Sequence, residues 1–171
     1  MQNAEITIRK ATLEDAPAVA QAHIRSWRTA CEGFIPAKEV EKFCGSRPQR
    51  WQEGLARADH PTHVAVLDGK VVGHFSFGPC RGGFVDERYY MLYSIYLDPS
   101  AQRRGIGRQL MAFAEERARE LGKTAMILKV FAKNESSRRF YEACGYHKDG
   151  RGKLRNDYGR PLRVLRYVKA L

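Results

Sequence analysis

The run Gln102-Arg103-Arg104-Gly105-Ile106-Gly107-Arg108-Gln109 interleaves three guanidiniums with two glycines. Glycine lets backbone approach a ligand closely. A helix starting at this point turns unpaired N–H groups and its positive end toward the loop. The arginines add charge and forked donors, so the combination suits a diphosphate. Two familiar phosphate loops do not fit. A P-loop ends in Gly-Lys-Ser/Thr, whereas this chain reads Gly107-Arg108-Gln109. A dinucleotide fingerprint needs a third glycine where Leu110 stands, and an acid near the end of the next strand, where "ILKVFAKN" offers none.

A second constellation lies downstream. Asn134, Arg138 and Tyr141 fall at i, i+4 and i+7, on one face of a predicted helix. Phe140, Ala143 and Cys144 form a different, apolar face that suits the core. Metal chemistry has no comparable support. The four cysteines (Cys31, Cys44, Cys80, Cys144) are irregularly spaced with no C-x-x-C, and the five histidines lack ligand-like spacing. Free thiols in a reducing cytoplasm are the expectation.

The elements that must position these groups are readable from periodicity. "ITIRKA" (6–11) alternates as a strand, and "TLEDAPAVAQAHIRSW" (12–27) follows as a helix opened by Thr12 and Asp15. Gly33 and Pro36 end it, and short helical pieces are predicted over 37–43 and 48–58. Val64–Leu67 and Val71–Phe77 flank Asp68-Gly69 as a hairpin. "RYYMLYSIYLDP" is apolar or aromatic on both faces and reads as a central strand stopped by Asp98-Pro99. The helix after the glycine loop closes at Gly122, "AMILKVF" is a buried strand, and "NESSRRFYEAC" is a helix capped by Asn134 and stopped by Gly145. "LRVLRYVKA" is a last strand. The order is an antiparallel start followed by one β-α-β crossover, in one domain over 1–171.

With these blocks in place, "YLDPSAQRRGIGRQLM" resembles the Q/R-x-x-G-x-G/A motif of the GCN5-related N-acetyltransferase (GNAT) superfamily, and "NESSRRFYEACGY" resembles the family's following block. "HIRSWRTACEGFIP" is similar to a bacterial subgroup whose acceptors are mostly unassigned. The resemblance spans the first predicted strand to the last. It implies an α/β (mixed α+β) fold: a twisted mixed sheet of six to seven strands, flanked by helices. The fourth and fifth strands splay apart there, and the pantetheine arm of acetyl-coenzyme A lies between them.

The reaction so implied is acetyl transfer from acetyl-CoA, as co-substrate, to a primary amine of a small molecule or peptide. Gln102, Arg103, Arg104, Gly105, Ile106, Gly107, Arg108 and Gln109 would hold the pyrophosphate. A backbone N–H around Tyr96, Leu97 or Asp98, with Leu97 preferred, would stabilise the oxyanion. Asn134, Ser137, Arg138 and Tyr141 would line the pantetheine arm. The Tyr141 phenol, with an ordinary pKa of ~10, would protonate the leaving thiolate. Several relatives carry a glutamate base where this chain has Met91. Glu32, Glu87, Tyr90, Tyr93 or a water chain remain for that role. Trp27, Phe34, Tyr89, Tyr90 and Tyr93 are the candidate walls of the acceptor pocket, which the N-terminal helices, the loop 80–87 and the last hairpin would build.

Two other function classes stay in view. The same fold could bind an acyl-CoA without catalysis. The formal charge of +11 could serve a nucleic acid, but no reading motif accompanies it and an anionic cofactor already accounts for it. No apolar run approaches membrane-spanning length, and "MQNAEITIRK" has no secretory h-region. Oligomeric state, including a homodimer, is left open by the sequence.

Overall fold

The computed structural model describes residues 6–83 and 86–171. In chain order these are β1 (Ile6–Lys10), a 3-10 turn (Leu13–Asp15), α1 (Ala16–Cys31), α2 (Ala37–Gly45), α3 (Arg47–Leu55), β2 (Thr62–Leu67), β3 (Lys70–Pro79) and β4 (Tyr89–Leu97). A second 3-10 turn (Pro99–Ala101) leads to α4 (Ile106–Glu120), β5 (Ala125–Phe131), α5 (Glu135–Ala143), β6 (His147–Arg155) and β7 (Leu162–Ala170). The strands form one sheet in the order β1-β2-β3-β4-β5-β7-β6. Only β4 and β5 run parallel.

Local chemistry sets the connections. The Thr12 amide donates to the Asp15 carboxylate at 2.8 Å and opens the first helical turn, after which α1 runs four residues past Trp27 to Cys31. Asp68 and Gly69 both take positive φ, 49° and 75°, as a primed hairpin turn requires.

Helices cover both faces of the sheet. On one, Leu110, Met111 and Ala114 of α4 and Tyr141 of α5 pack on Phe75, Met126, Leu128 and Tyr167. On the other, Trp27, Cys31 and Phe34 pack with Phe43, Tyr96 and Phe131, and Val19 and Leu55 cover Val64. Each such fully buried Leu or Met contributes about 1.5–3 kcal/mol over an exposed one.

The element-by-element sequence reading lacks β6, "HKDGRGKLR". The strand has almost no buried position because it lies at the sheet edge. It therefore shows no apolar alternation to read. Its pairing with β7 slips between Lys148 and Gly152, where the Arg151 amide donates to the Asp149 carboxylate at 3.0 Å.

Candidate active site

Where β4 meets β5, the sheet comes apart. The two strands pair only through Tyr89–Met91 against Ala125–Ile127. On its other edge, β4 stays paired with β3 as far as Leu97. The β3–β4 register skips from Phe77↔Leu92 to Ser76↔Ser94, so Tyr93 is an extra residue in β4. A bulge of this kind bends its strand, and it falls where β4 leaves β5. The opening is a cleft of about 340 Å³ lined by Leu92–Tyr96 on one side and Leu128–Phe131 on the other.

The cleft-side edge of β4 carries unpaired backbone groups. The Asp98 amide donates to the Val72 carbonyl at 2.8 Å and is thereby committed to β3. Successive residues of a strand direct their backbone groups to opposite edges. Leu97, and with it Ile95, therefore turns its N–H away from β3, toward the gap. The Leu97 carbonyl follows the same rule and accepts from Gln102 Nε2 at 3.1 Å. Of the three amides considered from sequence, Asp98 is spent, Tyr96 faces β3 and Leu97 is available. Ile95 was not among them. Only the β3–β4 pairing, which a single strand's sequence does not contain, reveals it.

The glycine loop sits where β4 ends. The Asp98 carboxylate accepts from the Ser100 amide at 3.0 Å and from its hydroxyl at 2.6 Å. Arg25 of α1 pairs with the same carboxylate. Arg103 and Gly105 both adopt left-handed backbone, with φ of 62° and 78°. Gly105 is the N-cap of α4, and no side chain caps that helix. A Cβ at Gly105 would point into open space, whereas one at Gly107 would come within 3.0 Å of the Phe140 ring. Packing between α4 and α5 thus accounts for Gly107. Arg104 and Arg108 are exposed beside the uncapped helix start, as are Arg103 and Gln109, while Ile106 is buried beneath it. None of the three arginines pairs with an acid of the described residues.

Helix α5 delivers Asn134, Ser137 and Tyr141 to the cleft. Asn134 Oδ1 accepts from the Ser137 amide at 3.1 Å and caps the helix. Burial raises the Tyr141 phenol above its usual pKa, so it stays protonated. Arg138 does not join them. It donates to the Tyr167 hydroxyl at 3.1 Å and to the Ala132 carbonyl at 3.0 Å, which fixes α5 against β7.

The opposite wall combines aromatic and cationic groups. Trp27, Ser26 and Cys31 of α1, Phe43 of α2 and Tyr158 of the β6–β7 connection line it, with Lys129, Lys153 and Arg155. Tyr93 is there too, its hydroxyl donating to the Pro79 carbonyl at 2.6 Å. Phe34 and Tyr90 lie outside the lining: Phe34 packs edge-on to Phe131 and Tyr90 edge-on to Phe77. Tyr89 packs with Cys80, Met91 and Ile127. No carboxylate lines the cleft among the described residues. Glu32 belongs to a separate shallow groove between α1 and α2, and Glu87 offers its main-chain carbonyl to Lys123 at 2.7 Å.

The fold thus sets a strand pair open at one end, an uncapped helix start flanked by arginines and a buried phenol close together. Residues 21–146 match the Acetyltransferase (GNAT) family. An uncharacterized N-acetyltransferase of Bacillus subtilis, YuaI, is 34% identical over 143 residues, 81% of this chain and 78% of that protein. The L-amino acid N-acyltransferase MnaT of Escherichia coli is 31% identical over 96 residues, 56% of this chain and 55% of that one. The crystal structure of PaiA N-acetyltransferase from Thermoplasma acidophilum, in complex with coenzyme A, superposes with a TM-score of 0.74 at 19% identity, over 98% of this chain and 99% of that one. The chain belongs to the GNAT family of acetyl-CoA-dependent N-acetyltransferases.

Proposed function

We propose that the protein transfers the acetyl group of acetyl-CoA directly to a primary amine of a small molecule or peptide within the cleft between β4 and β5. The observation that carries this reading is the Tyr141 phenol, buried in the same gap that the free amide edge of β4 borders.

The donor's diphosphate sits at the start of α4. There the uncapped amides and Arg103, Arg104 and Arg108 meet its charge. Left-handed Gly105 keeps that approach free of a side chain. Asn134 and Ser137 flank the pantetheine arm as it follows β4 inward. The acceptor nitrogen attacks the thioester carbonyl from the α1 side. Negative charge grows on the carbonyl oxygen and is met by the N–H of Leu97, fixed beforehand by the β3–β4 pairing. Collapse of the tetrahedral species breaks the carbon–sulfur bond and forms the amide. Tyr141 gives its proton to the departing sulfur, whose own proton affinity rises in the same buried surroundings. With no carboxylate lining the cleft among the described residues, water takes the amine's proton, and solvent returns one to Tyr141. An α-amine of pKa ~8 needs little more than that, unlike a lysine side chain near ~10.4.

The test is steady-state kinetics with thiol release as readout, beside an isotherm for acetyl-CoA. Tyr141→Phe keeps the ring and removes the hydroxyl. Turnover is expected to fall about 10²-fold or more while acetyl-CoA affinity is retained. Unchanged turnover, with chemistry shown to limit the rate, would refute the acid role. Lost cofactor affinity instead would assign Tyr141 to binding.

A further inference from the structure

The α1 side of the cleft holds a concentration of positive charge that the transfer chemistry does not use. Among the described residues, Lys129 of β5 and Lys153 of β6 line it and pair with no acid, and none that lines the cleft is acidic. Arg155, two residues from Lys153 along β6, spends part of its charge on Asp157. Arg166 of the neighbouring strand, opposite Lys129 in the β5–β7 register, is already paired with Asp149 and lies outside the lining. Trp27 lines the same wall at 7% exposure, and its indole N–H has no hydrogen-bond partner among the described residues. A buried donor without a partner is destabilising. Like charges facing one cavity repel, and an anion in the cavity removes both costs.

Resting on the acetyltransferase reading above, we infer that the acceptor is an amine bearing an anionic group, a carboxylate or phosphonate, held by Lys129 and Lys153 with the Trp27 N–H. The charge on this wall also selects against diamines and polyamines, whose second cation would meet these lysines. Lys129 agrees with this. Burial, then Lys153, Arg166 and Arg155, push its pKa down from the usual lysine value, and a bound anion relieves that.

The experiment compares matched acceptors at saturating acetyl-CoA: α-amino acids, their amides, aminophosphonates, and diamines of similar length. Acids or phosphonates are expected to exceed their amides by roughly tenfold or more in kcat/KM, the scale of one charge-assisted hydrogen bond. Whichever of carboxylate and phosphonate is used better identifies the anion. The double variant Lys129→Ala/Lys153→Ala should erase most of that preference by raising KM for the anionic members, with the amides moving less than about twofold. Trp27→Phe should weaken the anionic members more than their amides. Equal use of acids and amides, or preferred use of diamines, would overturn the anionic acceptor while leaving acetyl transfer intact. Thiol release from no member of the panel, nor from a peptide amine, with acetyl-CoA bound, would instead overturn the transferase reading itself.

Discussion

The two mouths of the cleft are built in opposite ways. The α4 mouth comes from one continuous stretch, Asp98 to Gln109, which combines backbone features, an uncapped helix start and two left-handed residues, with three exposed arginines. The α1 mouth is assembled from α1, α2, β5, β6 and the β6–β7 connection, and its groups are side chains. Behind it, between α1 and β3–β4, lies a layer of neutral histidines. His23 stacks on Tyr96 at 3.9 Å and faces His74 at 5.2 Å, and neither nitrogen of His74 has a partner among the described residues. A backbone site tolerates change in most side chains around it. A side-chain site is redefined by each one. One mouth is thus suited to a fixed donor and the other to a changeable acceptor.

The largest effect that would sharpen this contrast is acid sensitivity of the α1 half. Burial, aided by Arg47, lowers the His23 pKa to about 3 from an unfolded value of 6.5. Burial, then His23, lowers that of His74 as well. The unfolded chain therefore binds more protons than the folded one below pH 6.5. Stability is full above 6.5 and falls as pH drops toward 3, by roughly 5 kcal/mol for His23 alone at the acid limit. Thermal midpoints from pH 7 to 4 should decline steeply in the wild type and less in His23→Gln, which keeps an acceptor for the Trp51 indole. Parallel declines would remove His23 from the account.

At the α4 mouth the expected effect is smaller and purely electrostatic. Replacing Arg103 and Arg104 with alanine should weaken acetyl-CoA about tenfold or more and leave the acceptor KM and the thermal midpoint nearly unchanged. The loss should shrink at high salt because both residues are exposed. Equal effects on both substrates would break the division of labour between the mouths.

The smallest effect concerns Asn134, which caps α5 and lines the cleft at once. Asn134→Ala should cost about 1 kcal/mol, or roughly 2–4 °C in midpoint, from the lost cap. Asn134→Ser restores a capping oxygen. If it restores stability but not acetyl-CoA affinity, the two roles separate; recovery of both would reduce Asn134 to a cap.

Legibility in the sequence followed the same divide. The hairpin at Asp68-Gly69, the central strand, the glycine loop and the Asn134–Tyr141 helix could be read because each is a local pattern. Arg138 lies outside the cleft lining: helical spacing puts it near Tyr141 but cannot reveal Tyr167 on β7 as its partner. Phe34 and Tyr90 look like Trp27 in sequence, yet only Trp27 reaches the cleft. Lys129, Lys153 and Arg155 lie in strands otherwise read by their apolar positions, or not read at all. Their convergence depends on β5, β7 and β6 lying side by side, a long-range fact of topology.

The short seam at Tyr89–Met91 has one more consequence. Three residue pairs are all that ladder β1–β4 to β5–β7, while one apolar core, from Phe75 and Leu92 to Met126 and Tyr167, spans both halves. Beyond the seam β4 keeps a bare edge, like a zip stopped partway. On the proposed function, a long thioester arm would lie along that edge. In the empty protein, the gap-facing amides of Ile95 and Leu97 should exchange with deuterium far faster than the β3-bonded amide of Asp98, and slow once the arm lies against them.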